Sequence, residues 1–176
     1  WFDGQNIGKA PARFDIDKLK AINQYWLRKM PADELAEKLI VMRGGVAASR
    51  SREWLEELMP LFTERAQTLV ELNEMTSWLF GNGAPALNED AAALLTDEAK
   101  HTLQKFAQFL ITSAADKAEF DTAFKDWMAA EGLKMRDVGL PLRAALTGTK
   151  TAPSILDIVR ALGTEETLNR INQICT

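Results

Sequence analysis

The chain has little of the side-chain chemistry on which most enzymes depend. It holds one cysteine, Cys175, and one histidine, His101, in 176 residues. Neither a structural zinc site nor a histidine-assisted nucleophile can be built from that stock. A lone cysteine also forms no intramolecular disulfide, which fits a reducing compartment, and the cytoplasm is the expected location. Long apolar runs are missing too. Charged residues interrupt every greasy stretch before the roughly 18 residues that a membrane span requires, so no membrane partner is expected. No phosphate-cradling loop is present, because Gly44-Gly45 lacks the spacing and the following Lys-Ser or Lys-Thr of a P-loop. The acidic pairs Glu56-Glu57 and Glu165-Glu166 point their carboxylates in different directions along a helix, which suits solvent better than acid–base work. No catalytic, metal-binding or cofactor-binding residue is therefore expected in this stretch. Finally, the chain opens on Trp1 rather than Met, without the basic start and apolar middle of a signal peptide, and reads as a fragment of a longer protein.

What is present is a foldable composition, 47% hydrophobic and 26% charged, arranged with helical periodicity. Asp15 or Asp17 can cap a helix carrying Leu19, Ile22, Trp26 and Leu27 and ending near Met30. Pro31 opens a second, with Leu35, Leu39 and Ile40 on one side, which stops before Gly44-Gly45. From Glu53 to Phe80 the pattern predicts two helices in tandem, broken at Pro60. The run Gly81-Asn82-Gly83-Ala84-Pro85 is the clearest punctuation and marks a subdomain boundary. Beyond it, one or two helices are expected through Leu94 to Leu110, and another through Phe120 to Met128 with Gly132 as its stop. A loop at Gly139-Leu140-Pro141 is expected to precede Leu142 to Leu146. Two last helices follow Pro153, divided at Gly163. No strand-like alternation occurs, so the fold class is all-α. Trp26, Trp54 and Trp127 fall on apolar helical faces, where core packing is the expectation.

The net charge of −4 conceals a segregation of sign. Residues 81–132 carry four lysines against nine acids, whereas residues 133–160 carry five basic residues against two aspartates. A second basic stretch holds Lys38, Arg43, Arg50 and Arg52 with no acid between them. On charge alone these stretches are as compatible with a solvated face as with phosphate binding, and composition alone favours a helical protein-interaction or scaffold module.

Three blocks of residues change that balance. Gly8-Lys9-Ala10-Pro11-Ala12-Arg13-Phe14-Asp15, followed by Lys18-Leu19 and Asn23, is the first. Glu64-Arg65-Ala66-Gln67-Thr68-Leu69 with Trp78-Leu79-Phe80 is the second. The third is Gly139-Leu140-Pro141-Leu142-Arg143-Ala144-Ala145-Leu146-Thr147-Gly148 with Ala152-Pro153-Ser154 and Ala161-Leu162-Gly163. In order and spacing these blocks resemble the C-terminal, anticodon-binding region of bacterial glutamyl-tRNA synthetases. The resemblance implies two consecutive helical subdomains that cage an anticodon loop. Residues 1–30 would end the connecting, stem-contact region, residues 31–82 would form the first subdomain and residues 83–176 the second. The implied partner is glutamate tRNA, with glutamine tRNA left open as a second, and the implied state is a monomer. Glutamate, ATP and magnesium would be handled by a catalytic half that this stretch does not include.

Residue by residue, Arg65 matches the position that reads the third anticodon base, with pairing to Glu64 or Glu71 on an exposed helix as the alternative. Arg143 matches a contact to the first base, and Pro153 and Ile155 match positions packing against unstacked bases. Contacts to the tRNA backbone are expected from Lys18, Lys38, Arg43, Arg50, Arg52 and Lys150. The sequence departs from the family at Ala152, which offers no polar side chain, and at Ala21, where many relatives carry tryptophan.

Overall fold

The computed structural model of the chain describes residues 14–45, 51–113 and 117–176, so Gly8 to Arg13 of the first block and Arg50 lie outside the described residues. Within them the structure is helical and contains no strand. The helices are α1 (Ile16–Lys29), α2 (Ala32–Met42), α3 (Arg52–Leu58), α4 (Pro60–Thr63), α5 (Leu69–Met75), α6 (Glu89–Ala93), α7 (Asp97–Thr112), α8 (Lys117–Ala130), α9 (Met135–Thr147) and α10 (Ile155–Cys175), with a 3₁₀ turn at Ser77–Phe80.

Local chemistry sets most boundaries. Asp15 caps α1 by accepting from the Lys18 N–H, and Ser51, Thr68, Asn88, Thr96 and Ser154 cap later helices in the same way. The first helices associate through α1 on α4 and α2 on α3 and α5, the later ones through α7, α9 and α10 on one another, and the 3₁₀ turn packs on α9. Leu35, Leu39, Leu55, Phe62 and Leu72 belong to one apolar core together with Leu103, Phe106, Leu142 and Ile158. Phe106, Phe109, Phe120, Phe124 and Trp127 form an aromatic cluster, and the Trp54 indole donates to the Ala161 carbonyl at 3.0 Å.

Three expectations need correction. The stretch from Glu53 to Phe80 is not two helices but α3, α4, α5 and the 3₁₀ turn, with an extra break at residues 64–68. Side chains from α1 make that break tolerable: Gln24 and Arg28 donate to the Glu64 carbonyl and Asn23 to that of Gln67, supplying partners that an interrupted helix would lack. Conversely, Gly139-Leu140-Pro141 is no loop, since α9 runs through it. Pro141 forfeits one helical hydrogen bond, and burial of Val138, Leu142, Ala145 and Leu146 on the same helix outweighs that loss. Trp26 is 61% exposed rather than core, because α1 turns Leu27 inward and leaves Leu19, Ile22 and Trp26 outside.

A buried arginine locks the two groups of helices together. Arg170, 1% exposed, donates to the carbonyls of Leu146 (2.6 Å), Trp78 (3.0 Å) and Gly81 (2.7 Å) and to Glu166 Oε1 (2.7 Å). Glu166 in turn accepts the Gly83 N–H at 2.8 Å. At the neighbouring turn, Gly148 has φ +75°, and a Cβ there would lie 2.2 Å from the Ala86 oxygen, so glycine is required twice over.

Candidate nucleic-acid interface

The loop between α9 and α10 is braced from within. Thr147 Oγ1 donates to the Arg143 carbonyl (2.8 Å), Thr149 Oγ1 donates to that of Thr151 (2.8 Å), and Ser154 Oγ donates to Asp157 Oδ2 (2.6 Å) while accepting the Asp157 N–H. Onto this loop come two arginines from different parts of the chain. Arg65 sits in the break after α4 and donates Nη1 to the Ala152 carbonyl at 2.7 Å. Arg143 projects from α9 and donates Nε to the next carbonyl, that of Pro153, at 3.2 Å. Two guanidinium groups are thus anchored on consecutive peptide oxygens. Among the described residues neither arginine is ion-paired, so Arg65 pairs with neither Glu64 nor Glu71. Each has used one of its five donors, and the rest are open to acceptors in solution.

Pro153 and Ile155 flank these arginines but show little surface. Pro153 is buried, and Ile155 is 3% exposed and belongs to the apolar core. In this conformation they form a wall behind the arginines rather than a face on which a flat ring could lie. Ala152 contributes its carbonyl, so the departure from a polar side chain at that position does not remove its use as an acceptor.

The expected backbone contacts are dispersed and mostly engaged with protein. Lys38 pairs with Glu34 at 3.2 Å, Arg52 with Glu56 at 2.8 Å and Glu37 at 3.5 Å, and Lys150 with Asp90 at 2.6 Å. The hydrogen bond to Glu56 holds the Arg52 guanidinium above its usual range. Arg43 is half-buried, donates to the Asn73 carbonyl and lies 4.3 Å from the centroid of the Phe80 ring, and burial pushes its guanidinium down from the usual value. Lys18 stands exposed on α1. No cluster of His, Cys, Asp or Glu among the described residues could hold a metal ion, and no helix among them is long and apolar enough to cross a membrane.

Sequence reasoning missed Arg170, whose only signal is a glutamate four residues earlier, a spacing that usually marks a surface ion pair. It also missed that Arg65 and Arg143 would meet, since nothing local records a contact made through a third segment.

A helical scaffold that brings guanidinium groups without carboxylate partners from two segments onto one loop has donors to offer an anionic ligand. Residues 24–175 match the family described as "Anticodon binding domain", and the chain belongs to that family. Over 97% of its length it is 39% identical to glutamate–tRNA ligase 1 of Brucella melitensis and equally to glutamate–tRNA ligase 2 of Brucella ovis. It spans 38% of the length of those relatives. A glutamate tRNA ligase from Elizabethkingia meningosepticum, solved in complex with its amino acid, superposes with a TM-score of 0.78 at 25% identity. That match covers 99% of this chain and 35% of the other. The fold is likewise that of the glutamate–tRNA synthetase of Elizabethkingia anophelis, with a TM-score of 0.75 at 24% identity over 99% of this chain and 34% of the other.

Proposed function

We propose that this chain reads the anticodon loop of glutamate tRNA on behalf of an ATP-dependent glutamate–tRNA ligase whose catalytic half lies outside the stretch described. The observation that carries the proposal is the convergence of Arg65 and Arg143 on the adjacent carbonyls of Ala152 and Pro153, without carboxylate partners. A guanidinium fork held at one donor is already oriented, and its remaining donors can engage two acceptors on one base edge, which a lysine ammonium cannot do. Arg65 is assigned to the third anticodon base and Arg143 to the first. Pro153 and Ile155 shape the wall of the pocket. Residues 31–82 and 83–176 act as two subdomains of one monomeric cage, so that an anticodon read by Arg65 at its third base and by Arg143 at its first touches both.

Recognition follows the usual logic for single-stranded RNA. Unpaired loop bases are splayed, phosphate contacts fix the register, and base edges carry the information. Of the backbone contacts, exposed Lys18 costs nothing to recruit, whereas Lys38, Arg52 and Lys150 must exchange a carboxylate for a phosphate. Whether glutamine tRNA is also accepted turns on how strictly Arg65 discriminates at the third base. The test is a titration of this chain with the anticodon stem-loop of glutamate tRNA and with unrelated stem-loops across a salt series. Preferential binding that weakens with salt is expected. Equal affinity for every loop, or none at low salt, refutes the proposal and favours a protein-interaction module.

A further inference from the structure

Burial of Pro153 and Ile155 leaves the proposed pocket without an apolar plate, yet an unstacked base needs one to recover the stacking it loses on leaving the loop. The structure supplies a different side chain at that place. The point where a Cβ on Gly139 would stand lies 3.6 Å from Met135 Sδ, 3.9 Å from Arg143 Nη1 and 3.9 Å from Ile155 Cγ1. Met135, Gly139 and Arg143 follow one another at four-residue spacing along α9 and so share a face. Unlike Ile155, Met135 is a large apolar side chain left 50% exposed. An unbranched, polarisable thioether adapts to the face of an aromatic ring better than a branched aliphatic does.

We propose that Met135 is the stacking platform for the base that Arg143 engages, the first base of the anticodon. This rests on reading the Arg65–Arg143 surface as the anticodon site. Arg143 supplies donors to one edge of that base while the Met135 thioether covers one of its faces. Because Met135 is exposed, its truncation leaves the core intact, and the effect on RNA can be read apart from folding.

The experiment uses the chain, its Met135→Ala variant and its Met135→Leu variant, with the intact anticodon stem-loop and with stem-loops made abasic at each anticodon position in turn. Loss of one sulfur–aromatic contact lowers affinity by roughly two- to twelvefold. Met135→Ala is expected to weaken binding to the intact loop within that range, with an unchanged salt slope, and to bind the loop abasic at the first position as the unaltered chain does. Met135→Leu is expected to restore most of the loss. No loss on the intact loop, or a loss that persists when the first base is absent, overturns the assignment of Met135. Failure of the unaltered chain to bind the intact loop at all defeats the underlying reading instead, so the two failures are told apart.

Discussion

Arginine serves opposite ends in two regions of this molecule. Between the 3₁₀ turn, α9 and α10, Arg170 is buried and spends four hydrogen bonds on three carbonyls and a carboxylate of its own chain. At the loop after α9, Arg65 and Arg143 each spend one and keep the others. The difference sets a structural guanidinium apart from the reading role proposed for Arg65 and Arg143. Residue type and charge are the same, but the number of donors already satisfied by protein decides whether a ligand can be recognised. Arg170 has little left to give, and removing it leaves its acceptors without partners. Arg65 and Arg143 are each held at one donor, which leaves donors for the role proposed for them.

The largest effect should come from breaking the first region. Arg170→Met removes the donor that the carbonyls of Leu146, Trp78 and Gly81 share with the Glu166 carboxylate at a largely buried site. Breaking a buried ion pair by removing one partner costs about 3–5 kcal/mol, and loss of stability on that scale is expected in denaturant titrations. A cost below about 1 kcal/mol, the range of exposed pairs, would erase the distinction drawn between the two kinds of arginine.

In the second region the expected loss is of selectivity rather than stability. A bidentate arginine contact is worth about 1–3 kcal/mol of discrimination against the wrong base. Arg65→Gln should therefore narrow the preference between stem-loops that differ only at the third anticodon base, while the melting temperature stays close to that of the parent chain. Equal loss for both loops would make Arg65 a backbone contact, and a large drop in melting temperature would move it into the class of Arg170.

How far this contrast could be read beforehand depends on where the information lies. The cap at Asp15, the stop at Gly132 and the division at Gly163 are local, and spacing reveals them. The break at residues 64–68 is not, because it depends on Asn23, Gln24 and Arg28 reaching across from α1. Pro141 misleads in the opposite sense, since a local rule against proline in a helix yields there to burial. The family resemblance named Arg65 and Arg143 singly, but only the fold puts them on adjacent carbonyls. The same resemblance did not reveal that Ile155 turns inward, because burial belongs to the packed loop and not to the motif.

A subtler probe of the buried region is acid. Burial by itself would raise the Glu166 carboxyl, but hydrogen bonds from Arg170, Asn169 and the Gly83 N–H outweigh it and hold the group below its ordinary value. A carboxyl depressed in the folded state contributes stability that is complete above its unfolded value, about 4.3, and is lost as pH falls through the lower folded value. Glu166→Gln should thus lower stability near neutral pH and flatten the loss of stability below about pH 4.3. Parallel stability–pH curves for parent and variant would show that Glu166 carries none of this dependence.

The smallest effect is expected from the basic stretch on α2 and α3, and it sharpens the comparison because these cations lie between the two extremes. Lys38 and Arg52 are neither buried in a network nor free, for each already holds a surface carboxylate. Such pairs contribute about 0–1 kcal/mol, and a phosphate approaching them gains little net attraction, because the carboxylate must be displaced or its repulsion endured. A Lys38→Ala/Arg52→Ala double variant should therefore leave stability close to that of the parent chain. It should weaken binding to all stem-loops by one common, small factor, with a shallower salt slope and an unchanged third-base preference. Arg43 is left out of the variant because its hold on the Asn73 carbonyl and the Phe80 ring is structural, and its loss would confound the readout. The measurement is the ratio of affinities for the two stem-loops at several salt concentrations. A change in that ratio would mean that this stretch reads sequence after all, and satisfied donors would no longer separate arginines that read from those that only attract.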